Sequence, residues 1–446
     1  VKEMIRAVTY VVFILGFLLQ SNVAAQDTMR LTLDESIDIA LRNSTTIQSA
    51  REGMNASELR RKEAFTRFLP KLSTSYNYSH YDPAPYINQP PPFPFSTITT
   101  GTQDNYTWSL DVKQPVFTGG RIKADYDISR IGADISKHEE RLAVQDTVLE
   151  VKRAYFNILK AIRLVGVAKQ SVEQFTAQRD LAKNFYEVGL SPRNDYLQAE
   201  VRLADSTQAL VRAKNSLEVA RARFNTILRL PIGMPVEVVD ILNYKPYEKN
   251  YEECLRAAID HRPEIQVLAL GVKEAGEKIR VVESEFYPSV NVVGSYQRYG
   301  DSGALSGSPY RDPDNWLFMA VASWDLWEWG RSKYSRDASV SQEKQAQSAL
   351  TKVKDQVALD VKSAWLAVKE AENLIAVTQT SIEQAEENYR INQDQYREQV
   401  SRITDVLDAL TLLTFARASY SNALSDYQIA LAALEKAMGI AYPRSP

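Results

Sequence analysis

Apolar and aromatic side chains recur every seventh residue for far longer than an ordinary globular helix runs, and they do so twice in the chain. Val144, Val151, Ile158, Val165 and Val172 form one track, with Val148, Tyr155 and Ile162 beside it; Val361, Val368, Ile375, Ile382, Tyr389 and Tyr396 form its counterpart. Positions seven apart drift only slightly around an α-helix, so such a track keeps one seam turned toward a partner helix. Following helices repeat the device with Leu203, Leu210, Leu217 and Phe224, and then with Val406, Leu413, Tyr420, Tyr427 and Leu434. Between Gly119-Gly120 and Gly189 nothing interrupts the pattern, which predicts a single helix about 100 Å long at 1.5 Å per residue. A helix of that length draws its stability from side-by-side packing. Ala199, Ala204, Ala209, Ala213, Ala220 and Ala222 allow the close approach this needs.

The duplication is visible without gaps. EVKRAYFNI from Glu150 recurs as DVKSAWLAV from Asp360, and LSPRNDYLQA from Leu190 as VSRITDVLDA from Val400, both pairs 210 residues apart. Upstream, DESIDIALRN and the FLP of Phe68–Pro70 resemble YEECLRAAIDHRPEI and the FYP of Phe286–Pro288. Pro and Gly in Leu230–Pro235 end a helical pattern and begin a connector. The first repeat is therefore expected over 26–235, with a helix, strands at 70–80 and 105–117, and long helices at 120–188 and 192–230. The second is expected over 236–446, with a helix at 248–285, strands at 288–299 and 315–327, and long helices at 331–399 and 402–439.

The strand stretches have a period of two. Leu72, Thr74, Tyr76 and Tyr78 alternate with Ser73, Ser75 and Asn77, and Tyr106, Trp108, Leu110 and Val112 oppose Thr107, Ser109, Asp111 and Lys113. Between them, HYDPAPYINQPPPFPF is too rich in proline for further regular structure to be expected. In the second repeat PSVNVVGSYQRYG and NWLFMAVASWDLWEWG flank a Gly/Ser/Pro loop. Tyr76, Tyr78, Trp108, Tyr296, Trp316, Trp324 and Trp327 together suit an aromatic girdle at a lipid boundary. Four strands cannot close a sheet, and unpaired backbone is very costly in hydrocarbon. Several copies must then contribute to one barrel; three would make twelve strands and a twelve-helix conduit. The expected fold class is mainly α with a transmembrane β portion, several copies sharing an α-barrel and a β-barrel.

Export is expected from the first residues. Lys2 and Arg6 precede an apolar run from Ala7 to Leu19, and Val23-Ala24-Ala25 offers small residues for cleavage, so 1–25 reads as a signal peptide. After residue 25 no run of about 18 apolar residues occurs, so any membrane crossing falls to strands. The 53 basic and 56 acidic residues give no general pull toward nucleic acid. His80, His138 and His261 are scattered, Cys254 is the sole cysteine, and Gly119-Gly120 lacks the spacing and Lys of a phosphate loop. No enzyme activity, metal or cofactor is expected.

With these residues in order, the chain resembles the TolC outer-membrane efflux protein family over essentially its whole length after residue 25. The marks are the duplication, FLP and FYP, QPVFTGGR from Gln114, WDLWEWGR from Trp324, and the paired tips VGLSPRNDYLQAE and REQVSRITDVLDA. The resemblance implies a homotrimeric channel-tunnel in the outer membrane of a Gram-negative bacterium, its helical part in the periplasm. It also implies docking to a periplasmic adaptor and, directly or through it, to an inner-membrane transporter used for efflux or type I secretion. It further implies a periplasmic gate network at Asp195, Tyr396, Ser401 and Arg402, where Ser401 stands at the family's Arg position and Gln399 at its second-turn Gly. Asp405 and Asp408 match acidic positions ringing the constriction. Three apart on a helix, they share a face, and repeated around a narrow opening they would concentrate cations. The alternative for Asp405 is helix-start chemistry. A different class of protein, an exported coiled-coil structural or adhesive assembly, would explain the heptads but leave the strands without a role.

Overall fold

The structure, a computed structural model, describes residues 29–92, 94, 97–440 and 442; the expected signal segment 1–25 lies outside them. Two units are distinguished, and each takes parts of both repeats. One comprises residues up to Gln48, Ala143–Arg262 and Gln356 onward, and the other Ser49–Leu142 and Pro263–Asp355.

In chain order the elements are β1 (Met29–Leu31), α1 (Leu33–Asn43), α2 (Thr45–Thr66), β2 (Lys71–His80), β3 (Tyr86–Asn88), β4 (Thr97–Thr99), β5 (Asp104–Phe117), α3 (Arg121–Glu187) and α4 (Arg193–Leu228). After β6 (Val236–Val238) come α5 (Tyr251–His261), α6 (Pro263–Glu283), β7 (Ser289–Gly300), β8 (Asp314–Ser323), α7 (Arg331–Arg397) and α8 (Ile403–Ala437). The long helices α3 and α7 are each 67 residues, as the uninterrupted heptads require.

The first unit is built around a core to which every nearby element contributes. Ile37 and Ala40 of α1, Val151, Tyr155 and Ile158 of α3, Phe224 and Leu228 of α4, and Val236 of β6 are all buried together. These are the heptad positions of α3 and α4, so the seam read from sequence is the seam that packs. The Tyr155 hydroxyl donates to the Val239 carbonyl at 2.7 Å, which satisfies the one polar atom this ring brings inside. Both short helices begin with a reciprocal cap. Thr32 Oγ1 accepts from the Glu35 N–H while the Glu35 carboxylate takes the Thr32 N–H, and Asn250 and Glu253 repeat the arrangement. The parallel pair β1·β6 was not foreseen, since three residues are too few to show a period.

In the second unit β2, β5, β7 and β8 form one antiparallel sheet in that order, so β2 and β8 are its edges. The central pair β5·β7 joins the two repeats, with Leu110 opposite Tyr296 and a bulge between Pro115 and Phe117. Proline cannot donate to a ladder, which is why the irregularity falls there.

Three expectations are corrected. The helix expected at 248–285 is two helices, broken at Arg262, whose backbone is extended (φ −66°, ψ 122°) because Pro263 disfavours the helical conformation before it. The strand expected at 315–327 ends at Ser323, so Trp324 and Trp327 lie outside it. The proline-rich loop does hold regular structure: β3 and β4 pair, Ile87 opposite Ile98. Prolines occupy its turn and leave the flanking residues free to pair.

The duplication extends to individual backbone angles. Left-handed residues occur in matched pairs at the repeat interval: Gly119 with Trp329, Gly120 with Gly330, Gly189 with Gln399, and Arg229 with Gly439. At both hairpin turns the helix ends in the same way. Leu190 N–H bonds the Phe185 carbonyl at 2.8 Å and Val400 N–H the Gln395 carbonyl at 2.8 Å, with Gly189 (φ 77°) and Gln399 (φ 63°) as the left-handed residue. A side chain at this conformation costs about 1 kcal/mol that glycine avoids. Gln399→Gly should therefore stabilise the second hairpin by about 1 kcal/mol, read as a rise in Tm, and Gly189→Gln should lower it.

Candidate functional site

Two regions gather the residues singled out above. The first is the four-stranded sheet. Registered pairing puts Leu72, Thr74, Tyr76 and Tyr78 on the same face as Tyr106, Trp108, Leu110 and Val112, then Tyr296, then Trp316 and Phe318. The rings pack against one another across strands: Tyr78 and Tyr106 centroids are 4.8 Å apart and tilted, Trp108 and Tyr296 5.9 Å and T-shaped, and Tyr296 and Trp316 4.5 Å and tilted. Yet Trp316 is 67% exposed and Phe318 75%, far more than rings of that size tolerate against water.

The opposite face is hydrophilic over three strands. Ser75 and Ser109 hydroxyls are 2.9 Å apart, Ser109 Oγ donates to Asp111 Oδ2 at 2.8 Å, and Ser295 Oγ donates to Asp111 Oδ1 at 2.6 Å. No described helix is long and apolar enough to cross a membrane. An exposed aromatic face backed by a satisfied polar one is the pattern of a strand with lipid on one side and water on the other.

The second region is the pair of hairpin ends, where α3 turns into α4 and α7 into α8. Tyr396 is buried, its ring centroid 5.5 Å from that of Phe185, among Phe175, Ala182, Ala199, Ile403 and Val406. Burial chiefly, and the Asp195 carboxylate second, push the Tyr396 phenol up to about 12. Asp195 is itself raised above the usual carboxylate range by burial. Ser191 faces the phenol closely enough to oppose its shift, yet neither hydroxyl makes a hydrogen bond of good geometry. Tyr396 and Asp195, from different hairpins, thus share one environment.

The other two expected latch residues do not join them. Ser401 Oγ donates to the Asn392 carbonyl at 3.4 Å, and Arg402 meets Asp405 through its backbone, its N–H donating to Asp405 Oδ2 at 3.2 Å. Asp405 therefore performs helix-start chemistry, the alternative role open to it. Asp408 is exposed and ion-paired with Arg202 Nη2 of α4 at 2.8 Å. Arg202 went unnoticed in the sequence, although it stands seven residues after Asp195 and so on the same stripe. Tyr389 also joins the hairpins, its hydroxyl accepting from Gln178 Nε2 at 2.9 Å and from Gln393 Nε2 at 3.0 Å. No group of three or more His, Cys, Asp or Glu able to hold a metal occurs among the described residues.

A sheet with an exposed aromatic face and two open edges, together with long helices paired along heptad seams, fits the class of channel-forming membrane proteins. The family follows from comparison. The chain belongs to the outer membrane efflux protein family, whose profile matches residues 36–228 and 254–440. Among characterised relatives it is 25% identical over 396 residues to the outer membrane protein TolC of Escherichia coli K12, covering 84% of this chain and 76% of that one. It is 20% identical over 385 residues to the outer membrane efflux protein BepC of Brucella suis, covering 86% and 78%. The fold matches that of the Campylobacter jejuni CmeC outer membrane channel with a TM-score of 0.78 at 17% identity, over 91% of this chain and 85% of that one. The open state of the Neisseria gonorrhoeae MtrE outer membrane channel matches with a TM-score of 0.75 at 20% identity, over 91% and 88%. The protein is an outer-membrane channel component of a Gram-negative efflux or secretion system, a transport channel and not an enzyme.

Tyr396 yields a pH prediction. A phenol whose folded pKa lies above its unfolded value contributes stability below about pH 10 that is lost as pH rises toward 12. Thermal melts should show that alkaline loss in the wild type and a smaller one in Tyr396→Phe. Removing a buried hydroxyl that lacks a partner should also stabilise Tyr396→Phe by about 1 kcal/mol at neutral pH; a destabilised variant would mean the hydroxyl has a partner in the assembly.

Proposed function

We propose that three copies close a twelve-stranded β-barrel in the outer membrane and a twelve-helix barrel in the periplasm, forming the passive exit duct of a tripartite efflux or type I secretion system. The observation that carries this reading is the pair of unpartnered edges, β2 and β8, on a sheet whose aromatic face is exposed. In hydrocarbon each open backbone group costs several kcal/mol, and only closure with other copies removes both edges. Tyr76, Tyr78, Trp108, Tyr296 and Trp316 then form the girdle on the strands, with Trp324 and Trp327 just beyond β8. A periplasmic adaptor engages the helical part, and an inner-membrane transporter supplies the energy, so the channel needs no cofactor.

The hairpin ends act as the gate. The Tyr396 ring, packed against Phe185 of the other hairpin with Asp195 nearby, holds the hairpins together, with Ser401 and Arg402 at the neighbouring turn, and opening splays them. Asp408 and Asp405 ring the constriction. Their contributions differ, because Asp405 is engaged in capping α8 while Asp408 is exposed and ion-paired with Arg202.

Mass measurement in detergent is expected to give a trimer whose mobility changes on heating; a monodisperse, membrane-inserted monomer would refute the shared barrel. In planar-bilayer recordings, Asp408→Ala is expected to reduce cation preference more than Asp405→Ala does, and Arg202→Ala to increase it. Selectivity unchanged in all three would remove these residues from the pore.

A further inference from the structure

The chain carries within itself a template for the junction between copies. β5 and β8 are counterparts in the two repeats, as are β2 and β7, with Lys71 corresponding to Ser289. The pairing β5·β7 is therefore the internal equivalent of a β8·β2 pairing that no single copy can make, because those strands are the opposite edges of its sheet.

From this we infer that β8 of one copy pairs antiparallel with β2 of the next in the register of β5·β7, and that pairing extends β8 through Trp324–Trp327. The inference rests on the shared-barrel reading and specifies its joint. Transposing Leu110↔Tyr296 and Val112↔Gly294 sets Ala320 opposite Tyr78 and Ala322 opposite Tyr76. Asp111↔Ser295 becomes Val321 opposite Asn77.

Two features of the residues agree with this register. Ala320 and Ala322 share the face of Trp316 and Phe318, and Tyr76 and Tyr78 share the corresponding face of β2, so each joined pair lies on one side of the sheet. A slip by one residue would instead set Ala322 opposite Ser75 or Asn77, which belong to the polar face. Small alanines opposite large tyrosines fill the space between strands without crowding.

The extension follows from the same template. β5 continues through Gln114, Pro115 and Phe117 because β7 offers Val292, Asn291 and Val290 to pair with them. The counterparts Trp324, Asp325 and Trp327 have no such partner within the copy, and there the backbone is irregular. Next to them in the joined register stand Thr74, Ser73 and Leu72 of the neighbouring copy's β2. Assembly thus converts an irregular tryptophan-rich segment into strand and fixes the rings at the sheet's end.

Paired cysteines in the full-length chain, expressed in membranes and oxidised, test both parts. Ala322→Cys with Tyr76→Cys, and Val321→Cys with Asn77→Cys, sample the two kinds of antiparallel site and are each expected to give a covalent trimer on denaturing gels. Within one copy β2 and β8 are three strand spacings apart, about 14 Å, too far for a disulfide. The native Cys254 is fully buried, and single-cysteine variants report any background from it. Trp324→Cys with Thr74→Cys should link as well. Links at the shifted pairs Ala322→Cys with Tyr78→Cys or with Thr74→Cys, in place of the expected ones, would overturn the register. Failure of the Trp324 pair alone would overturn the extension. Trimers by mass with no link at any pair would reject the inference while leaving the shared barrel standing, whereas a monomeric wild type would reject both.

Discussion

The rest of the molecule is organised by the cost of leaving backbone amides and carbonyls bare in a medium that cannot hydrogen-bond them. A sheet of four strands has two bare edges however well its interior is paired, and β2 and β8 are those edges. Everything about the sheet suits placement in such a medium: rings turned out on one face, hydroxyls and a carboxylate tied together on the other. On the proposed shared-barrel reading a lone copy is an incomplete object. The helices depend on partners in another way, since α3 and α7 take most of their stability from packing along the seams that α4 and α8 present.

Duplication explains how one chain builds this with little sequence identity between its halves. What the two repeats preserve is geometry. Four left-handed positions recur at the same interval, and in three of the four pairs only one member is glycine. The fold imposes the turn and the residue accommodates it, so Gln399 and Trp329 bear the strain that Gly189 and Gly119 avoid. Gly119 has a further reason to be glycine: a Cβ there would sit 2.5 Å from the Ser284 carbonyl oxygen. Trp329, by contrast, stands in a turn where it is 86% exposed.

Long-period features were legible in the sequence and short or paired ones were not. The heptads specified α3, α4, α7 and α8 because a seam repeated many times leaves few alternatives, and the alternation in Leu72–Tyr78 and Tyr106–Val112 specified β2 and β5. By contrast β1·β6 and β3·β4 involve three residues a strand, whose pairing is decided by tertiary surroundings. The break at Arg262-Pro263 was written in the sequence and lost only because the flanking apolar pattern reads through it. At the hairpin ends the sequence marked Asp195 and Tyr396 but could not say that Asp408 would find Arg202 or that Asp405 would spend itself on a helix start. Those outcomes depend on which stripes of α4 and α8 come face to face.

One feature of the sheet bears on what can travel past it. The serine and aspartate network covers the polar face of β2, β5 and β7, but the same face of β8 carries Leu317, Met319 and Val321, all partly exposed. In the proposed ring of copies the bore would consequently be striped, with one greasy lane for every three wettable ones. A cargo with both oily and hydrophilic parts would then meet a wall that can wet each of them, and it would keep its apolar portion's preferred surroundings as it slipped outward.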